Sequence, residues 1–318
     1  MKRIVSLLIV LLFLATAFSA WASGEGEGED QLHIGVAAAN FDDKWMSYMH
    51  EGFENAAEEL GVRITMVDGK NDPAVQQSQV DTFITQGVDA IVIVPVQIQT
   101  LGPILNETEA ADIPVVAVNR IPEEPELSRL ATYVGSDEVY AGTVQGEAIA
   151  DMLGGEGDVV IIHGQFGHPA EQGRTQGNKE VFDQYPGINI VREDTSEWQR
   201  AKALELMENW IQAGFNIDAV VANNDESAIG AAMALEQVGM LEEVYIAGVD
   251  ATPDALEFML EGKIDITVFQ DAYGQGYEGL AAAIKAANGE NLPKITDVPY
   301  QPVYPENAEE FLKLWGVE

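Results

Sequence analysis

The 318-residue sequence contains no cysteine. That absence excludes disulfide frameworks, thiolate zinc sites, iron–sulfur clusters, thiol nucleophiles and any lipid anchor on cysteine. Positive charge is nearly as scarce: 16 Lys and Arg stand against 53 Asp and Glu, a formal charge of −37. Phosphate backbones and anionic membrane surfaces repel such a chain, so nucleic acid is excluded as a partner. Catalytic signatures are missing too. There is no Gly-x-Ser-x-Gly elbow, no Walker loop and no His-Glu-x-x-His pair, so no enzymatic activity is expected. Carboxylate pairs of the glycosidase kind occur only because acids are abundant, and decide nothing. His33, His50 and His163 lack metal-ligand spacing; neither metal nor cofactor is expected.

What is present is a globular composition, 47% hydrophobic over 318 residues, enough for about two domains at roughly 150 residues each. The chain opens on Met1-Lys2-Arg3, an apolar run from Ile4 to Phe18, and Ala20-Trp21-Ala22. This is the pattern of a signal peptide cleaved after Ala22, and it predicts export, into the periplasm where one exists. An uncleaved anchor is the competing reading. Residues 23–31, rich in Gly and Glu, hold no apolar side chain before Leu32 and read as a disordered acidic leader.

From Leu32 onward short apolar runs alternate with helical periodicity. Strands are expected at Leu32–Ala38, Arg63–Val67, Ala90–Val94, Val115–Val118, Val159–His163, Ile188–Val191, Ala219–Ala222, Val244–Val249 and Ile264–Phe269. Helices are expected between them, among others at Lys44–Leu60, Pro73–Gln86, Val139–Leu153, Arg200–Ala213, Ser227–Val238 and Gly274–Ala287. Apolar runs without alternation predict strands covered on both faces, hence parallel sheets of right-handed βαβ units. The fold class is therefore α/β. Prolines and charge at Ile121–Ser128, where a helix is due, mark a break. The four prolines between Pro293 and Pro305 read as a return strand or linker. We expect two doubly wound parallel-sheet lobes joined by a multi-strand hinge: residues 32–133 plus 271–298, and 134–270 plus 299–318.

Ligands of open parallel sheets bind beyond the carboxyl ends of the strands. Following the expected strands stand Asn40, Asp43, Trp45 and Met46; Gln97; Asn119 and Arg120; Gly164 through His168 to Arg174; Trp198; Asn224 and Asp225; Asp250; and Gln270 with Asp271. Amides, carboxylates and guanidinium groups together can donate to and accept from hydroxyls, and indole faces stack on the C–H face of a sugar ring. Arg120 and Arg174 nearly balance Asp43 and Asp250, which points to a neutral polyhydroxylated ligand.

These segments, taken in order, carry a resemblance: Ile34-Gly-Val-Ala-Ala-Ala-Asn40, Asp89-Ala-Ile-Val-Ile-Val-Pro95, Ile113-Pro-Val-Val-Ala-Val-Asn-Arg120, Tyr133-Val-Gly-Ser-Asp137, Asn224-Asp-Glu226 and Gly248-Val-Asp-Ala-Thr-Pro-Asp254. The chain resembles the periplasmic sugar-binding proteins of ABC importers, of the ribose/galactose-binding type, from about Leu32 to Gln301. The resemblance implies a type I periplasmic binding protein fold, one sugar or polyol held between the lobes, and delivery to a membrane permease by a monomer. It places the ligand contacts on Asp43, Trp45, Met46, Asn119, Arg120, Arg174, Trp198, Asn224, Asp250 and Gln270. Asn119, Met46 and Val94 stand where ribose binders carry Asp, an aromatic residue and Asn, so the hydroxyl pattern read here must differ. The Val-Asn-Arg-x-Pro run and Gly167-His168 look closest to members associated with inositol-like polyols.

Competing readings use the same residues. The fold also serves ligand-sensing modules of transcription regulators and receptors for chemotaxis or quorum signals; the exported N-terminus and absent DNA-binding helix pair oppose the first. Trp45 and Trp198 would be core residues in a purely structural reading, and Asp250 a cap for a helix near Pro253. Gly274-Gln-Gly276-Tyr-Glu-Gly279 spells a dinucleotide fingerprint, but no strand with an acidic residue follows about 20 residues on; it reads as a helix start packed through small residues. Few of the 53 acids belong to such a site, so the excess charge is a surface property suited to a saline medium. Surface repulsion is screened by salt, and the midpoint of thermal unfolding is expected to rise from low to molar salt. An unchanged midpoint would refute the saline reading.

Overall fold

A computed structural model describes residues 31–316. The expected signal peptide and all but the last residue of the leader lie outside the described residues. The first sheet is built from β1 (His33–Ala38), β2 (Arg63–Asp68), β3 (Ala90–Ile93), β4 (Val115–Val118), β5 (Thr132–Gly135) and β11 (Ile295–Asp297). Its order is β11-β5-β4-β3-β1-β2, every pair parallel. The second comprises β6 (Glu156–His163), β7 (Gly187–Thr195), β8 (Ala219–Ala222) and β9 (Tyr245–Ala247) in the order β7-β6-β8-β9. Bridges Ala247↔Ile266 and Asp250↔Phe269 extend it to β10 (Thr267–Phe269), which pairs antiparallel with β12 (Gln301–Val303). The two sheets repeat one winding, and in each the strand order reverses beside the first strand, at β1/β3 and at β6/β8. That is where such sheets open a crevice.

Helices α1 (Lys44–Leu60), α2 (Pro73–Gln86), α3 (Leu101–Ala110) and α10 (Ala272–Ala287) cover the first sheet. Along β3, Ala90 and Val92 face the α1/α10 core while Ile91 and Ile93 face the α2/α3 core. Successive side chains alternate between two dry faces, which is why the sequence shows an unbroken apolar run. Each fully buried aliphatic side chain contributes about 1.5–3 kcal/mol. The second sheet repeats this on β8: Val220 and Ala222 face α7 (Arg200–Gln212) and α8 (Asp225–Val238), whereas Ala219 and Val221 face α5 (Glu138–Met152) and α6 (Pro169–Phe182).

The chain passes between the sheets three times: from β5 to α5, from β10 to α10, and from β11 to β12. The expected lobe boundary after residue 133 falls inside β5, and the chain leaves the first sheet only after Gly135. The proline-rich return is two short strands, one in each sheet. Pro302 is tolerated because β12 is an edge strand with one partner. The break at Ile121–Ser128 holds only a four-residue helix, α4 (Glu126–Arg129). The remaining helices are α9 (Pro253–Leu260) and α11 (Ala308–Leu314). No helix among the described residues is long and apolar enough to cross a membrane.

Candidate functional site

A cleft of about 720 Å³ lies between the carboxyl edges of the two sheets. All ten side chains expected at a ligand site border it: Asp43, Trp45, Met46, Asn119 and Arg120 from the first lobe, Arg174, Trp198, Asn224 and Asp250 from the second, and Gln270 at a crossing. Parallel βα units put helix N-termini at these same strand ends, so several of the residues have two tasks. Asp43 Oδ1 caps α1 by accepting from the Met46 amide at 3.0 Å, leaving its other oxygen without a partner among the described residues. Asn224 Oδ1 caps α8 through the Ser227 amide at 3.2 Å and also accepts the Ser227 hydroxyl at 2.5 Å. Its amide nitrogen donates to the Trp198 carbonyl at 3.4 Å, so little of Asn224 is left for a ligand.

On the first lobe, Arg120 Nη1 donates to the carbonyls of Pro95 and Val96 at 2.8 and 2.9 Å. Those carbonyls, rather than Gln97, are what the end of β3 contributes. Burial lowers the Arg120 guanidinium to about 10, with the Asp43 charge opposing, so it remains cationic at neutral pH. Its Nε is buried without a protein partner. Met46 is 3% exposed and seated in the core, its sulfur 3.7 Å from Asn40 Nδ2. Trp45 Nε1 donates to the Gln270 carbonyl at 3.4 Å, and Lys44 Nζ meets Asp254 at 2.6 Å, tying this rim to the opposite one.

Arg174 is the most heavily bonded group on the second lobe. It donates to Glu138 Oε2 at 2.9 Å, the Asn223 carbonyl at 2.7 Å, Gln270 Oε1 at 3.0 Å and the Tyr300 hydroxyl at 2.8 Å. Asp250 Oδ1 lies 3.6 Å away. Burial works against the guanidinium charge, but Glu138, Tyr300 and Asp250 together raise its pKa further. Removing Arg174 would strand two buried carboxylates, a loss of about 3–5 kcal/mol. Burial drives the Asp250 carboxyl well above its ordinary range; Arg174 opposes this, and Asp225, Asp43 and Glu138 reinforce it. Thr252, not Asp250, caps α9, accepting from the Ala255 amide at 3.4 Å. Asp250 is held instead at φ 121° beside the cleft.

His168, from the loop that follows β6, borders the cleft. Burial, with Arg120 and Arg174 beside it, holds the imidazole well below its usual value, hence neutral. Nδ1 accepts from the Ala170 amide at 3.1 Å, so the proton resides on Nε2. The ring meets Trp198 edge-on, centroids 5.3 Å apart. The Trp198 indole lies against the backbone of Gly164, where a Cβ would stand 2.0 Å from the ring.

Sequence reasoning passed over Asn71, Arg200 and Thr252, which border the cleft together with Glu226. Asn71 follows β2, a strand end not read for ligands; its Oδ1 accepts from Asn40 Nδ2 at 3.1 Å. Arg200 pairs Glu226 and Asp254, each at 2.8 Å, and with Lys44 also on Asp254 these charges cancel at the rim. Besides Arg120 Nε, Gln270 Nε2 is buried with no partner. The cleft is thus lined by residues that carry unpartnered neutral and cationic donors, a raised carboxyl and two indoles, with its charges mostly paired internally.

This fold and cleft define a two-lobed solute receptor. A family model described as a periplasmic binding protein domain matches residues 34–291, and the chain belongs to that family. It is 42% identical over 283 residues to a putative rhizopine-binding protein of Rhizobium meliloti, spanning 87% of this chain and 92% of that one. To the ribose import binding protein of Bacillus subtilis it is 31% identical over 305 residues, 94% and 98% of the two chains. Among solved structures, an ABC transporter solute-binding protein of Bacillus halodurans with bound myo-inositol is similar at a TM-score of 0.85 and 41% identity, covering 90% of this chain and 98% of that one.

Two outcomes follow from the geometry. Gly164→Ala is expected to displace the Trp198 indole and lower stability by about 1–3 kcal/mol, read by denaturant unfolding; an unaltered midpoint would contradict the packing. Burial raises the Asp225 carboxyl to about 7 from an ordinary 3.8, against hydrogen bonds from Thr267 and Thr252. Between about pH 4 and 7 the folded state keeps a proton that the unfolded chain has released, so this group makes stability fall as pH rises through that window. Asp225→Asn should flatten that part of the thermal stability profile; an identical slope would refute the assignment.

Proposed function

We propose that the protein is the solute-binding component of an ABC importer, holding one neutral monosaccharide or cyclic polyol in the inter-lobe cleft and presenting it to a membrane permease after export. The observation that carries this reading is the composition of the cleft: both lobes direct hydroxyl-matching groups and an indole at one space, with acidic and basic groups nearly balanced and so little to select an ion. Asp43, Asn119, Arg120, Arg174, Asp250 and Gln270 are the proposed polar contacts, with His168 Nε2 as an added donor. Trp45 and Trp198 are the proposed stacking faces, Met46 lines the cleft, and Asn224 chiefly caps α8 while also meeting the Trp198 carbonyl. The lobes are taken as residues 32–135 plus 271–298 and residues 136–270 plus 299–316, so that the three crossings form the hinge. The departures at Asn119 and Met46 favour an inositol-like polyol over ribose; the Bacillus halodurans neighbour holds myo-inositol, whereas the Bacillus subtilis relative is named for ribose.

A thermal-shift screen of inositols, xylitol, pentoses and hexoses on the chain from residue 23 tests this. The true ligand at 100 times its dissociation constant adds roughly 2.7 kcal/mol. A shift with an amino acid or nucleotide and with no polyol would overturn the proposal. Trp198→Ala and Asp250→Ala are each expected to weaken binding of that polyol at least about 100-fold, as loss of a buried stacking or charged contact does, while circular dichroism stays unchanged. Undiminished affinity in both would show that the cleft is not the site. Genes for a permease and an ATPase beside this one would separate import from signal reception.

A further inference from the structure

The glycine-spaced run at Gly274–Gly279 packs helices. A Cβ on Gly276 would stand 2.2 Å from the Met49 carbonyl oxygen, and one on Gly52 2.2 Å from that of Tyr273, so α1 and α10 touch backbone to backbone. Gln275, between the first two glycines, is fully buried and joins a chain of hydrogen bonds. Asn119 Nδ2 donates to Gln275 Oε1 at 3.2 Å, Gln275 Nε2 donates to Ser136 Oγ at 3.0 Å, and Ser136 Oγ donates to the Val298 carbonyl at 2.5 Å.

The direction of this chain is set at its far end. A backbone carbonyl has no proton to give, so the single proton of Ser136 is committed to Val298 and its oxygen can only accept. Gln275 must therefore turn its NH₂ toward Ser136 and its oxygen toward residue 119. An oxygen there demands a donor, so Asn119 must present its own NH₂ to Gln275. Asn119 Oδ1 is thereby turned off the relay and has no hydrogen bond within the described protein, on a residue that borders the cleft. The backbone beneath is held as well: Asn119 sits at φ 68°, and its carbonyl accepts the Tyr133 hydroxyl at 2.9 Å.

We propose that Gln275 and Ser136 are positioning residues that fix the amide of Asn119 with its oxygen toward the cleft, so that this point of the site selects a ligand hydroxyl able to donate. The ligand half of this statement rests on the polyol reading; the relay itself does not. Ser136 and Val298 belong to two of the three crossings, so the group that reads the ligand is wired to the hinge segments rather than to the sheet alone. A carboxylate at position 119 would set oxygen against oxygen at Gln275, a mismatch that the anchored relay cannot relieve by turning over.

The test is a double-mutant cycle on the full chain, produced by export, with Asn119→Asp, Ser136→Ala and both together. Thermal unfolding without ligand reads the relay, and titration with myo-inositol, xylitol and D-ribose reads the site. N119D is expected to lower the midpoint and to weaken the polyol that the parent binds by about 10- to 100-fold, the cost of an unsatisfied buried polar group. With Ser136→Ala the anchor is gone, and Gln275 is free to offer Nε2 to the carboxylate that N119D introduces. The double variant should then lose at least about fivefold less affinity than the product of the two single losses, a coupling within the range seen for residues of one network. Its midpoint should lie above the sum of the two single shifts. Multiplicative affinity losses with additive midpoint shifts would overturn the relay. Coupled midpoints in a protein that binds none of the three polyols would uphold the relay and refute the polyol reading.

Discussion

Arg174 is the group on which the arrangement of this molecule depends. A guanidinium at 3% exposure is tolerable only if nearly every N–H finds an acceptor, and the acceptors here come from all three passages between the sheets. Glu138 opens the helix after the first, Gln270 lies in the second and Tyr300 in the third. Tyr300 closes the ring by donating to Glu138 Oε2 at 2.6 Å. One buried charge thus gathers the hinge, and the same charge sits at the edge of the cleft beside Asp250. The contacts that join the three crossings and the edge of the cleft thus meet in a single side chain.

A second economy comes from parallel topology. Every βα unit places a strand end and a helix start at one edge, and each helix start requires acceptors for its first amides. Asp43, His168 and Asn224 supply those acceptors and border the cleft at once. Capping restricts what each has left to offer. For His168 it selects the tautomer, and for Asn224 it consumes most of the amide. The polar lining is less a set of free ligating groups than the remainder after the backbone has been satisfied.

The sheet pattern was legible because strands buried on both faces must be apolar without alternation, as in Ala90–Ile93 and Ala219–Ala222. Helix boundaries such as Lys44–Leu60 and Pro73–Gln86 were legible through Asp43 and Asp72 as caps and Gly61 and Gly87 as stops. The strands Ile295–Asp297 and Gln301–Val303 were legible only as a return strand or linker without bounds, since three-residue strands beside proline carry no periodicity and owe their conformation to the edges they join. Asn71 escaped notice for a similar reason: nothing local separates it from any polar loop residue, and only its bond to Asn40 draws it to the cleft.

The sequence by itself determined the α/β winding and the list of side chains at the strand ends, because these follow from burial periodicity and from the rule that such sheets bind at their carboxyl edge. Only the tertiary structure decided what those side chains are free to do. Whether Asp250 caps a helix, which nitrogen of His168 carries the proton, and which way the amide of Asn119 turns depend on donors and acceptors contributed from distant parts of the chain. Local sequence names the polar group; its protonation and orientation are set by neighbours that only folding brings within hydrogen-bonding distance.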